Sequence, residues 1–321
     1  ITASNYIIYG HMREGPRAIY DPYTLYLMSS GIRPTLNNPP ADDGRDVLIW
    51  LFGGSTMRGS SEDDGKTMAS QLALRLNSGE KDRRFRVVNL GMDSFNSLME
   101  TKFLQKMLIE SPRPPRLIVF YDGANEATYF LQGFNPYGHH GYRRVESLIE
   151  SYYHSWFGAL KPLNSALYGS FTLELYDKIH QTVLPVTMNN EQLDKLVTIT
   201  TQRYEFIQKT AGCYGADFLL VWQPILWIES CQPADEVRQT EGDLVKLARF
   251  LPMRENISTV YRTLEKNLGN RPYFNRFGDV LCGRQKAAYL KDGVHLTDDG
   301  DRLIAEALAK LIKDKLTAAH S

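Results

Sequence analysis

Four short apolar runs, each stopping at a glycine or a polar turn, constrain this chain more than any other feature. Val47-Leu48-Ile49-Trp50-Leu51-Phe52 runs into Gly53-Gly54, and Arg86-Val87-Val88-Asn89-Leu90 into Gly91. Arg116-Leu117-Ile118-Val119-Phe120-Tyr121 runs into Asp122-Gly123, and Phe218-Leu219-Leu220-Val221-Trp222 into Gln223-Pro224. Runs that are apolar without alternation read as strands buried on both faces, which belong to parallel sheets covered by helices. A shorter fifth strand is expected near Gly278-Asp279-Val280-Leu281.

Helical patterns fall between these runs. Thr67 to Leu76 carries Met68, Leu72 and Leu76 on one stripe, and Ser97-Leu98-Met99-Glu100 has the spacing of a capping box. Val197 to Lys209 reads as the helix feeding the fourth strand. The last helix, from about Asp298, places Leu303, Ala307, Leu308, Leu311 and Leu316 on an apolar face. The expected class is α/β, with chemistry at the carboxyl ends of the strands.

Residues 1–45 read as an N-terminal extension packing on the core, and residues 46–316 as one domain. Within it, about 127–215 and 225–275 are longer than ordinary connections and are read as mainly helical insertions. Lys plus Arg and Asp plus Glu both number 37, so no global field draws a polyanion and nucleic-acid binding is disfavoured. No apolar run approaches the ~18–20 residues of a membrane span. The chain begins Ile1-Thr2-Ala3-Ser4, without Met or a charged-then-apolar leader, as a processed or trimmed chain would. Cys213, Cys231 and Cys282 permit one disulfide and a thiol, or none, and do not fix a compartment.

Four elements carry candidate chemistry. In Gly53-Gly54-Ser55-Thr56-Met57-Arg58-Gly59, a serine follows a buried strand on a glycine turn that can bare its hydroxyl at the sheet edge. Taken alone, such a segment is more often a simple turn. The nucleophile elbow needs glycine where Met57 stands, and a P-loop needs lysine where Ser60 stands, so both are excluded. In Lys291-Asp292-Gly293-Val294-His295-Leu296-Thr297, an acid three residues before a histidine can hold one ring nitrogen and leave the other as a base. The plain alternative is a surface loop with an N-cap at Thr297. Gly91 and Asn125, at two further strand ends, can supply amide donors to a developing oxyanion, or be turn residues only.

Their order along the chain resembles the SGNH hydrolases, the GDSL esterase/lipase family. That family carries Ser in a Gly-Asp-Ser-like turn, a Gly, a Gly-x-Asn-Asp-like segment, and Asp-x-x-His near the C-terminus. Here these are Ser55, Gly91, Asn125 in Gly-Ala-Asn-Glu, and Asp292 with His295, over about Asp46 to Leu311. Gly54 departs from the name-giving Asp, and Glu126 from the second acid, changes expected to touch substrate placement rather than catalysis. The resemblance implies a three-layer α/β/α sandwich with a mainly parallel, flavodoxin-like sheet and helical insertions. It also implies acyl transfer through Ser55, with His295 as base, Asp292 orienting it, and the amides of Ser55 and Gly91 with the Asn125 side chain as oxyanion hole. An ester substrate follows, including carbohydrate O-acetyl groups, with no cofactor and no metal. An extracytoplasmic location is favoured. An O-acyltransferase to a glycan or lipid acceptor is the alternative, and a non-catalytic binding module the third reading.

Other features have blander readings. His139, His140 and His154 lack acids or cysteines at ligand spacing and read as loop or surface histidines. Asp298-Asp299-Gly300-Asp301 lacks the alternation of a calcium loop and suits the positive end of the last helix. The aromatic set Tyr129, Phe130, Phe134, Tyr137, Tyr142, Tyr152, Tyr153, Trp156 and Phe157 reads as packing of the first insertion, with an acyl or sugar pocket as the alternative.

Overall fold

The computed structural model describes residues 18–40, 44–78, 83–153, 188–230, 241 and 253–318. Two short strands come first, β1 (Ala18–Asp21) and β2 (Leu25–Met28), paired as an antiparallel hairpin. Then follow β3 (Val47–Gly53), α1 (Ser55–Arg58), α2 (Met68–Asn77), β4 (Phe85–Gly91), α3 (Ser97–Glu110), β5 (Leu117–Asp122) and α4 (Ala124–Leu131). The chain continues with α5 (Tyr142–Tyr153), α6 (Asn190–Cys213), β6 (Asp217–Trp222), α7 (Arg254–Leu268), β7 (Phe274–Arg276) and α8 (Asp298–Ala318).

The five later strands form one parallel sheet in the order β4-β3-β5-β6-β7. Counted from its own first strand this is 2-1-3-4-5, the flavodoxin-like order, with its switch point between β3 and β5. Alternation along each strand divides the core in two. Trp50, Phe52, Ile118 and Phe120 face one layer with Phe103 and Leu104 of α3, Tyr204 and Ile207 of α6, and Val260 and Leu264 of α7. Ile49, Leu51, Leu117 and Val119 face the other with Leu72 and Leu76 of α2 and Ile304, Leu308 and Ile312 of α8. The molecule is thus a three-layer α/β/α sandwich. In register, Gly53 lies beside Gly91 and beside Tyr121, so the ends of β3, β4 and β5 finish level with one another.

Several local expectations are corrected. The fifth strand is Phe274–Arg276, and residues 278–281 are turns closed by Val280 N–H to Phe277 O (3.0 Å) and Cys282 N–H to Asp279 O (3.1 Å). The capping box at Ser97 does not form. Asn96, one residue earlier, is the N-cap and accepts from Met99 N–H, while Glu100 is buried in the core. On α8 the most buried stripe is Ile304, Ala305, Leu308, Ala309, Ile312 and Leu316, with Leu303, Ala307 and Leu311 on its flanks. α6 contains the expected 197–209 segment but is longer, because Asn189 caps it earlier through Gln192. Asp298, Asp299 and Asp301 do occupy the first turn of α8. His154, Trp156, Phe157 and Cys231 lie outside the described residues. Cys213 is a free thiol and Cys282 is disulfide-bonded.

Candidate active site

Ser55 is the first residue of α1, immediately beyond β3. Its N–H opens a helix and therefore has no intrahelical carbonyl to meet. The Ser55 hydroxyl lies 2.7 Å from Nε2 of His295. On the far side of the ring, Nδ1 lies 2.5 Å from Oδ2 of Asp292. The other Asp292 oxygen accepts the backbone N–H groups of Val294 and His295, each at 3.0 Å. This is why the three-residue spacing works: one carboxylate closes its own turn and aims the imidazole. With a carboxylate on Nδ1 the proton sits there, so Nε2 is the acceptor that faces Ser55.

The electrostatics follow from these contacts. Burial alone would pull the His295 pKa down, but the Asp292 hydrogen bond and charge, with the Asp93 charge nearby, outweigh it and raise the pKa above its ordinary value. Burial works against the Asp292 carboxylate too, yet the bonds from His295, Val294 and the His295 amide hold its pKa down at about 2.

Asn125 lies in the first turn of α4, at the end of β5. Its side-chain amide donates one N–H to Phe95 O at 2.5 Å, leaving the second for the cavity it shares with Ser55 and His295. Gly54 is essential to this packing: a Cβ there would lie 2.4 Å from Asn125 Nδ2 and 2.9 Å from Phe95 O.

Gly91 is a different matter. Its amide donates to Oδ1 of Asn89 at 3.0 Å, so it is committed within β4 and does not serve as the expected open donor. A Cβ at Gly91 would lie 2.4 Å from Arg58 N, and the glycine is required because the backbone of α1 presses on it. Asn89, buried, also donates to the carbonyls of Met57 and Arg58, tying β4 to the end of α1. The sequence reading missed Asn89, although an asparagine inside an apolar strand is itself a signal. It also missed Ser94, a non-glycine residue at φ 65° in the turn that Phe95 N–H closes on Met92 O.

Glu126 is structural at this point. Its two oxygens accept Gly123 N–H (2.8 Å) and Ser97 N–H (2.7 Å), fastening the β5–α4 turn to the start of α3. Behind it Asp122 accepts from Tyr204 (2.7 Å), and Glu100 lies against Asp122. Burial, then the neighbouring carboxylates, push both Asp122 and Glu100 well above the usual carboxylate range.

The cavity over Ser55 is small, about 40 Å³. Thr56, Thr128 and Gln223 give it polar walls, and Trp227, Ile257 and Val294 apolar ones. Among the described residues, no member of the aromatic set of the first insertion lines it; Tyr129 and Phe130 are buried in packing. His139 bonds the His140 carbonyl through Nδ1, and His140 packs edge-on to Tyr26 and Tyr129. Among the described residues no group of three His, Cys, Asp or Glu side chains is placed to hold a metal ion, and no helix is long and apolar enough to cross a membrane.

No protein-family model and no curated protein matches this sequence. Solved structures do resemble it. The psychrotrophic esterase EstA from Pseudoalteromonas sp. is 12% identical, with 85% of this chain and 100% of that chain covered and a TM-score of 0.43. The acetyl xylan esterase AlAXEase is 13% identical, covering 83% and 100%, with a TM-score of 0.42. A member of the lipolytic protein G-D-S-L family from Veillonella parvula is 12% identical, covering 81% and 94%, with a TM-score of 0.39. These are likenesses in the course of the chain, and no residue role is taken from them.

Proposed function

We propose that this chain is a serine esterase of the SGNH type. One observation carries the reading: a hydroxyl at a strand end, 2.7 Å from an imidazole whose other nitrogen is held by a carboxylate. In the reaction Ser55 Oγ attacks the ester carbonyl as His295 Nε2 takes its proton. Asp292 stabilises the imidazolium, which then protonates the departing alcohol. Water, deprotonated by the same nitrogen, releases the acid and frees Ser55.

The oxyanion of each tetrahedral intermediate is assigned to the Ser55 N–H and the free N–H of the Asn125 side chain. With Gly91 committed to Asn89, the third donor is assigned to the Ser94 amide. Ser94 lies between Asp93, whose charge acts on His295, and Phe95, whose carbonyl holds Asn125. Its left-handed backbone costs about 1–3 kcal/mol, the kind of strain that gathers at functional turns. Each such donor is worth roughly 3 kcal/mol to the transition state.

The substrate class proposed is an ester of a short acyl group, with carbohydrate O-acetyl esters included. The cavity beside Ser55 is small, about 40 Å³, which favours a short acyl group such as acetyl over a long chain. The disulfide at Cys282 supports an extracytoplasmic setting. The test is turnover of p-nitrophenyl acetate, abolished in Ser55→Ala; equal rates in the two proteins would remove the proposal. Mass spectrometry with an added oligosaccharide separates free acid from acylated sugar.

A further inference from the structure

The loop bearing Asp292 and His295 is the turn of a small hairpin. Leu290 N–H donates to His295 O (2.8 Å), Thr297 N–H to Ala288 O (2.9 Å), and Tyr289 pairs with Leu296 between them. The outward amides of this stem meet a single carboxylate. Glu241 Oε1 accepts Ala288 N–H at 2.8 Å and, more weakly, Tyr289 N–H at 3.4 Å. Its other oxygen accepts from Arg284 at 2.6 Å. Arg284 also donates to Glu229 at 3.0 Å and to Leu281 O, and its guanidinium lies over the Tyr289 ring. The Tyr289 hydroxyl donates to Glu229. All three charged side chains are at most 2% exposed.

Two buried carboxylates on one guanidinium are an expensive way to stabilise a fold, because apolar packing of equal volume commonly does as well. What the cluster does supply is fixed direction. Glu229 belongs to the segment after β6 that includes Trp227, a wall of the cavity, and Leu226 N–H there donates to Gly293 O at the tip of the hairpin. Glu241 lies in the second insertion, far from the hairpin in sequence. Gly300 completes the seat, since a Cβ there would lie 2.3 Å from Ala288 O.

We propose that Glu241, with Arg284 and Glu229, is a positioning cluster that sets the Asp292–His295 hairpin in register against Ser55. The inference rests on the reading of His295 as the base. Glu241 never touches substrate; it acts through the stem. A misplacement of about 1 Å at such a base costs on the order of 100-fold in rate.

The experiment compares the full-length chain with Glu241→Gln and Arg284→Lys. Gln keeps an acceptor for the stem amides but turns an N–H toward Arg284, and Lys cannot fork between two carboxylates. Thermal unfolding, kcat and KM for p-nitrophenyl acetate, and the far-downfield proton resonance of His295 Nδ1–H are measured for each. The expected result is a folded protein with kcat about 10- to 100-fold lower, KM unchanged, and that resonance shifted or broadened. If either variant folds with kcat and the resonance as in the parent, the proposal is overturned, whatever the melting temperature does. A parent with no Ser55-dependent turnover removes the esterase reading alone; the resonance then decides the positioning role by itself.

Discussion

The side-chain amide of Asn125 reaches the Phe95 carbonyl through space that is open because residue 54 has no side chain. Gly54→Ala places a methyl 2.4 Å from Asn125 Nδ2 and 2.9 Å from Phe95 O, so the amide must rotate and the backbone at Phe95 must give as well. The expected outcome is a fall in kcat of about 100-fold, one donor's worth, in a protein that still folds but melts lower because the Phe95 backbone has moved. Steady-state kinetics beside a thermal melt checks it; full activity in the folded variant would show that Asn125 holds no oxyanion.

Under the proposed mechanism the raised pKa of His295 sets the pH profile. The base works only when neutral, so the acid limb of kcat/KM is expected above pH 6.5. Stability runs the opposite way for this group. A histidine whose folded pKa is raised contributes fully below its unfolded pKa, and the contribution is lost as pH rises through the folded value. Asp292→Asn removes the bond and charge that raise the pKa and leaves the burial that lowers it. Its residual activity is expected to be orders of magnitude lower, with the acid limb moved to lower pH. A pH–rate series for the two proteins decides this, and identical limbs would refute it.

The buried carboxyls behind the site give a stability prediction. Asp122 and Glu100 have folded pKa values well above their unfolded ones, so the folded state holds protons that the unfolded state releases. Their contribution is greatest below about pH 4 and declines as pH rises toward the folded values. Among the described residues both Glu100 oxygens lack a hydrogen-bond donor other than the carboxyl it faces, and Glu100→Gln supplies an N–H to Asp122 without any charge. The variant is expected to melt a few degrees higher at pH 8, with a smaller gain at pH 5. Melting curves at both pH values check it; a drop at pH 8 would mean that the ionised pair stabilises the fold.

The strands that were legible are those buried on both faces, where continuous apolar runs leave no other reading. β7 is not legible in the sequence because it pairs on one side only and has a single large apolar residue, Phe274, whereas the nearby Val280-Leu281 turn is richer in apolar residues. The β1–β2 hairpin went unseen because Ile19 and Tyr20 are exposed and its pairing is local. Asp292 and His295 were legible as neighbours because the turn joining them is encoded in three residues. Gly91 was read as a donor when its constraint is steric, a distinction that needs the position of Arg58. The Glu229–Glu241–Arg284 cluster had no sequence signal, since its members are 43 to 55 residues from Arg284 and meet only in the folded chain.

Acyl length is the property the cavity wall should control. Trp227 and Ile257 are the large apolar walls of the small cavity that Ser55 also lines, so under the proposed function a longer acyl chain meets them where an acetyl group does not. One methylene in such a pocket is worth about 1–3 kcal/mol, so kcat/KM for acetyl over butyryl esters is expected to exceed 10-fold. Trp227 is the residue to shorten. Its Nε1 is buried without an acceptor among the described residues, so removing the indole breaks no hydrogen bond to them. Trp227→Leu is expected to leave the acetyl rate within a few-fold and raise the butyryl rate until the preference falls about 10-fold or reverses. Acetyl, butyryl and octanoyl p-nitrophenyl esters assayed on both proteins give the answer. If the preference is the same in both, Trp227 does not bound the acyl group, and the cavity receives the alcohol side of the ester instead.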